Sequence, residues 1–203
     1  MVTQASLFTQ SSQQITLEDG NCQFVQEFMQ PVEGHELFNF LMHTLNWRQE
    51  TLVLFGKRVK TPRLSYWMGD AGLSYRYSNM TMKAEPWLSE LKIITQQINE
   101  ASEQQFNSVL INLYRDGQDS NGWHADNEPE LGADPTIASL SLGATRDFQL
   151  KHRYNPQLKF GLALTHGSLL IMGKGMQTHW LHQIPKRANA EPRINLTFRT
   201  VLT

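Results

Sequence analysis

A chain of 203 residues, 40% of them hydrophobic and 18% charged, can bury a sizeable core, which excludes an intrinsically disordered polymer. A formal net charge of -1 excludes a globally basic nucleic-acid binder, so any grip on phosphates must come from a local cluster. No apolar run reaches the length of a membrane span, the single cysteine (Cys22) has no internal disulfide partner, and the polar N-terminus lacks a secretory pattern; the expected location is the cytoplasm, or the nucleus in a eukaryote.

Residues 1–20 are rich in Gln, Ser and Thr and read as a flexible polar arm ahead of a single domain over 21–203. Leu37, Leu41 and Leu45 then recur every four residues, and Pro31 is placed to start that helix. Residues 51–82 read as strands and turns, punctuated by Gly56, Gly69 and Gly72 and dense in aromatics (Tyr66, Trp67, Tyr75, Tyr77). Within this stretch Lys57, Arg58, Lys60 and Arg63 bring four positive charges into seven residues with no acid among them, a candidate phosphate-binding run. A second helix is predicted from Pro86, with Trp87, Leu91, Ile94 and Ile98 as its apolar stripe. From Phe106 onward the pattern changes to short strands between Gly, Asp, Asn and Pro turns: 107–114, 136–142, 147–152, 166–172 and 192–201. Helices followed by a run of strands point to an α+β fold, a β-sandwich or jelly roll buttressed by N-terminal helices.

Three of the later segments carry chemistry. In RINLTFR (193–199) side chains alternate between faces, so Ile194, Leu196 and Phe198 share one face and Arg193, Asn195, Thr197 and Arg199 the other. Two arginines on one face suit an anion with two separated carboxylates, because guanidinium offers a planar donor fork. In NSVLINLY (107–114) the same alternation puts Asn112 and Tyr114 on one face, where an amide and a phenol could complete that anion's hydrogen bonds. After the turns at Asp116-Gly117 and Asn121-Gly122 comes Trp123-His124-Ala125-Asp126. A His-x-Asp pair with a distant histidine makes a facial triad that leaves open positions for cosubstrate and oxygen, the arrangement of non-haem iron(II) oxygenases. His152, His166, His179 and His182 are all available as the third ligand, and spacing does not choose among them.

The segments GDAGLSYRYS (69–78), INLYRDG (111–117), WHADNEPEL (123–131), IASLSLGATRDF (137–148), THGSLLIM (165–172), HWLHQIP (179–185) and RINLTFR (193–199) together resemble the AlkB family of oxidative nucleic-acid demethylases, most of all its double-strand-repairing members. The resemblance runs from about Leu52 to Leu202 and implies a double-stranded β-helix, with a substrate lid over 51–82 and the jelly-roll core over 106–203. It implies iron(II) held by His124, Asp126 and His182. It implies 2-oxoglutarate divided between Arg193 and Arg199, with Asn112, Tyr114, Asn195 and Thr197 as hydrogen-bonding partners, and dioxygen as the oxidant. It places Tyr75 and Tyr77 in the base pocket, a flipped base stacking between Tyr77 and the His124 imidazole. Glu128 would read the base's polar edge and Phe55 would fill the gap left in the duplex, with Arg63 in the same matching segment. The implied function is removal of alkyl groups from bases such as 1-methyladenine and 3-methylcytosine in DNA, releasing formaldehyde, succinate and carbon dioxide, by a monomer that has no membrane partner. The rivals are the same chemistry on RNA or protein, and a jelly-roll module that reads alkylated bases without reacting.

Overall fold

The computed structural model describes residues 12–54, 56–77 and 80–202, and of these 52–54, 75–77 and 80–82 by their backbone alone. In chain order the strands are β1 (Ser12–Leu17) and β2 (Gly20–Val25), then helix α1 (Pro31–Thr44), then β3 (Thr51–Leu54), β4 (Lys57–Lys60), β5 (Leu64–Gly69), β6 (Ser74–Tyr77) and β7 (Met80–Lys83). Helix α2 (Ser89–Ser102) follows, then β8 (Ser108–Tyr114), β9 (Asn121–His124), β10 (Ile137–Gly143), β11 (Arg146–His152), β12 (Lys159–Leu164) and β13 (Leu169–Met172). A short helix α3 (Met176–His179) leads into β14 (Trp180–Ile184), and β15 (Arg193–Arg199) is last.

Two antiparallel sheets form the jelly roll. The larger runs β1-β2-β13-β10-β15-β8-β5 and the smaller β12-β11-β14-β9, while β3-β4 and β6-β7 form separate two-stranded ribbons. The reason is legible in β15, where every residue is buried. Its Ile194, Leu196 and Phe198 enter one core cluster together with Val109, Ile111 and Leu113 of β8, Leu37 and Leu41 of α1, and Leu91, Ile94 and Ile98 of α2. The helices therefore cover the outer face of the large sheet. A second cluster, including Phe24, Tyr114, Phe148, Leu150, Leu164, Met172 and Trp180, fills the space between the sheets. The polar face of β15 looks into that space, where polar groups stay only if they meet partners or a ligand.

Some expectations are corrected. Ser12–Leu17, placed in the loose arm, pairs along its whole length with β2, and β2 pairs with β13, so this segment is the edge of the main sheet. Its alternation is weak because only Ile15 is buried. The second helix starts at Ser89 rather than Pro86, since Leu88 is still extended (φ -72°, ψ 143°). The strand expected from 166 begins at Leu169, because Thr165–Ser168 turn back on themselves: Ser168 donates from both its amide and its hydroxyl to the Thr165 carbonyl, and Gly167 sits at φ +75°. Strands β9, β12 and β14 lie outside the predicted segments. Among the described residues no helix is long and apolar enough to cross a membrane.

Candidate active site

Two facing strands and one loop bring a triad together. His182 of β14 lies directly opposite His124 of β9 in the ladder, which sets their rings side by side with centroids 4.2 Å apart. Asp126 follows His124 by two residues, and its Oδ1 is 4.0 Å from His124 Nε2. One ligand atom from each of the three lies within 4.8 Å of the others. His124 Nδ1 is 2.7 Å from the Gly122 carbonyl, which can only accept, so Nδ1 carries the proton and Nε2 keeps its lone pair. The Asn121 amide donates to that Nε2 at 3.1 Å.

The charges suit a cation. Burial pushes the Asp126 carboxyl up, but the Arg199 guanidinium, the two imidazoles and the hydrogen bond from Arg199 together outweigh it and hold the pKa at about 2. Arg199 Nη2 meets Asp126 Oδ1 at 2.8 Å. Burial, with help from His124 and against Asp126, lowers His182 to about 3, so its imidazole is neutral at physiological pH. An ionised carboxylate and neutral imidazoles are the forms that bind a divalent metal.

A second group of the same composition exists among the described residues: Asp19, His152 and His179. It differs in tautomer. His152 Nδ1 accepts the backbone N–H groups of Tyr154 (3.3 Å) and Asn155 (3.1 Å), so the proton sits on Nε2, which lies 3.4 Å from Asp19 Oδ2 without an aligned hydrogen bond. A metal at that nitrogen would require a doubly deprotonated ring. His179, one of the four candidates for third ligand, therefore belongs to a separate cluster with Asp19 and His152, its ring stacked on that of His152 with centroids 6.1 Å apart. His166 is also apart, its Nδ1 accepting the Gly143 amide at 2.8 Å.

Beside the triad, Asn112, Tyr114, Asn195, Thr197 and Arg199 line the same cavity, together with Phe148, Leu164 and Ile184. The ladder explains the grouping: Arg193 pairs with Tyr114 and Asn195 with Asn112 across β15 and β8. Arg193 is fully buried. Its Nη2 donates to Ser141 Oγ (2.9 Å) and Asn195 Oδ1 (2.7 Å), and its guanidinium carbon lies 5.2 Å from the centre of the Tyr114 ring. Burial, opposed by Tyr114 and aided by Arg146, lowers its pKa to about 10, so it stays cationic. Nε and Nη1 of Arg193 have no hydrogen-bond acceptor, and no carboxylate among the described residues is ion-paired with it. A buried cation with two unmet donors fits the carboxylate of a small diacid.

The outer positions divide. Arg63 is buried, donating from Nε to Asn112 Oδ1 at 3.0 Å and lining the cavity, whereas Lys57, Arg58 and Lys60 are exposed on β4. The four cations thus do not act as one run, and Arg63 is no surface contact for a phosphate. Tyr75 and Tyr77 lie on β6, which pairs with β7 beyond the two main sheets. Glu128 precedes a 3-10 turn at Pro129–Leu131 and has a buried Oε2 without a hydrogen-bond partner. Phe55 lies outside the described residues.

Several residues of the site carry no expectation from the sequence. Ser139 and Ser141 alternate along IASLSLG and meet Asn195 and Arg193, a pairing that the period of β10 could have revealed. Arg146 is fully buried and donates to the carbonyls of Asp116 (3.2 Å), Asp119 (2.9 Å) and Pro185 (2.6 Å), tying together the loops that flank His124 and His182. Nothing in GATRDF signals that role. Arg146→Met leaves three carbonyls without their donor and is expected to cost about 3 kcal/mol of stability. Urea denaturation measures it, and an unchanged midpoint would remove Arg146 as the tie between these loops.

The chain is similar to known proteins in sequence and in fold. The family model of the 2OG-Fe(II) oxygenase superfamily matches residues 21–199. The chain is 41% identical over 184 residues to bovine alpha-ketoglutarate-dependent dioxygenase alkB homolog 3, a match covering 86% of this chain and 64% of that protein's length. It is 38% identical over 199 residues to the bovine DNA oxidative demethylase ALKBH2, covering 93% of this chain and 71% of that one. A solved structure, that of OsALKBH1, superposes with a TM-score of 0.62 at 17% identity, covering 93% of this chain and 100% of that chain; this is a likeness of fold.

Proposed function

The chain belongs to the 2OG-Fe(II) oxygenase superfamily, and from that premise we propose that it removes alkyl groups oxidatively from damaged bases in DNA. The observation that carries the proposal is the His124–Asp126–His182 triad, with Asp126 and His182 buried and His124 partly exposed, together with a buried arginine that lacks an anion. His124, Asp126 and His182 would hold iron(II); Arg193 and Arg199, with Asn112, Tyr114, Asn195 and Thr197, would hold 2-oxoglutarate. When bound, these groups supply with dioxygen an oxidant that hydroxylates an N-methyl group, giving succinate and carbon dioxide, after which the hydroxymethyl base loses formaldehyde.

The chain's own residues do the rest. Asp126 brings the negative charge and is kept ionised by Arg199. Phe148 and Leu164 line the cavity with apolar surface and keep bulk water from the reacting atoms. A base stacked inside a duplex cannot reach ligands of which Asp126 and His182 are buried, so the target must leave the stack; that costs a few kcal/mol, less for a base whose Watson–Crick edge is already blocked by methylation. The extruded base stacks between Tyr77 and the His124 ring in this reading, with Tyr75 beside it and Phe55 in the gap it leaves. The unpartnered Oε2 of Glu128 suits a cationic methylated base such as 1-methyladenine or 3-methylcytosine. Lys57, Arg58 and Lys60, exposed together on β4, suit the phosphates. The same reading has the protein act as a monomer in the cytoplasm or nucleus.

The test is formaldehyde release, with iron(II) and 2-oxoglutarate, from single- and double-stranded DNA and from RNA carrying either lesion. Release from DNA is expected. Release from RNA alone would move the substrate class, and tight binding without release would make the protein a reader of alkylated bases.

A further inference from the structure

Gln177 is fully buried, in a position with no evident need for an amide. Its Oε1 accepts the backbone N–H of Asp126 at 2.9 Å. Its amide nitrogen finds only the Met172 sulfur, at 3.6 Å. A thioether is a weak acceptor, so half of this side chain's hydrogen-bonding capacity is poorly met. An apolar side chain of the same length would avoid the cost of burying the amide; what it could not do is hold Asp126.

The surroundings give that bond a purpose. Gln177 sits on α3, the turn that leads directly into β14 and His182. The far end of the loop that carries Asp126 is fastened to the same turn: Asp134 accepts the Gly175 amide through both carboxylate oxygens (2.8 and 3.0 Å) and the Thr178 hydroxyl at 3.1 Å. Gly175 lies at φ +84°, where a Cβ would run into the Asp19 carbonyl, so the turn is tightly specified. One four-residue helix therefore clips the Asp126 loop at both ends and joins it to the strand of His182.

We propose that Gln177 is a positioning residue for the metal centre: by holding the Asp126 backbone it sets the carboxylate against the two imidazoles before any metal arrives. This rests on the ligand set proposed above. Groups that hold a metal ligand in place from behind typically change metal affinity by about 10- to 100-fold.

The experiment is titration of the metal-free protein with manganese(II), a redox-stable stand-in for iron(II), followed by the paramagnetic resonance of free ion. Three proteins are compared: wild type, Gln177→Met (same length, no acceptor) and Gln177→Glu (acceptor kept at the same reach). The expected result is a Kd at least about 10-fold weaker for Gln177→Met, the lower bound for losing such a support, with Gln177→Glu within about 3-fold of wild type. Thermal unfolding of the metal-free proteins runs alongside, and weakened binding counts only while Gln177→Met still melts cooperatively. Should that variant not fold, Gln177→Asn, which keeps the amide but falls one methylene short, takes its place with the same criterion. If wild type binds manganese(II) and the variants bind equally, or if Gln177→Met and Gln177→Glu weaken alike, the positioning role is overturned while the ligand set stands. If wild type itself does not bind, the ligand set fails and the inference with it.

Discussion

Asp126→Asn is expected to remove metal binding and to lower formaldehyde release by more than about 100-fold, beyond the range for residues that only support a ligand. Asparagine keeps the size of the side chain and the backbone N–H that Gln177 accepts, but it removes the one negative charge in the proposed ligand set. The wild-type carboxyl, held at about 2, is ionised throughout the working range, so the loss should be equally large at about pH 6 and about pH 8. Manganese(II) titration and turnover at both pH values check it. A variant that binds metal and turns over like wild type would displace Asp126 from the centre, whereas a loss confined to high pH would mean that the wild-type carboxyl titrates near neutrality.

Arg193→Met is expected to raise the 2-oxoglutarate requirement by about 100-fold or more, since truncating one partner of a buried charge pair costs about 2–5 kcal/mol. The second expectation is what separates a ligand-binding arginine from a structural one. Without the diacid, Arg193 is a fully buried cation with two unmet donors. Replacing such a group by an apolar side chain of similar volume is often neutral or stabilising. The free variant should therefore unfold in urea at the wild-type midpoint or above it, while its KM for 2-oxoglutarate rises. An unchanged KM, or a large drop in stability with no change in KM, would make Arg193 a part of the core. Arg146 makes the contrast: it donates to three carbonyls of two loops, and the predicted effect of losing it falls on stability.

What one strand needs to be a strand is written in its own residues. Alternation in RINLTFR and SVLINLY determined which side chains of β15 and β8 share a face, because the period of two is a local property of extended backbone. The same holds for α1, where Pro31 and the leucines at 37 and 41 mark both the start and the buried stripe. It fails where a segment's identity depends on its partner. Ser12–Leu17 buries one residue and is a strand because β2 lies beside it; KFGLAL of β12 is an edge strand with a half-exposed inner face.

The site divides the same way. That His124 and Asp126 stand two residues apart, and that Arg193 and Arg199 share a face, follows from the order of residues alone. Which histidine joins them does not. His179 and His182 are three residues apart, and only the end of α3 at His179 and the pairing of β14 with β9 turn His182 toward His124 and leave His179 with Asp19 and His152. Arg63 likewise looked like one member of a charged run and is in fact folded inward onto Asn112, while Gln177 carries no local signal at all. Local periodicity tells a side chain which face to take; what waits on that face is set by hydrogen-bonded partners far away in the chain, and those exist only once the two sheets have closed on each other.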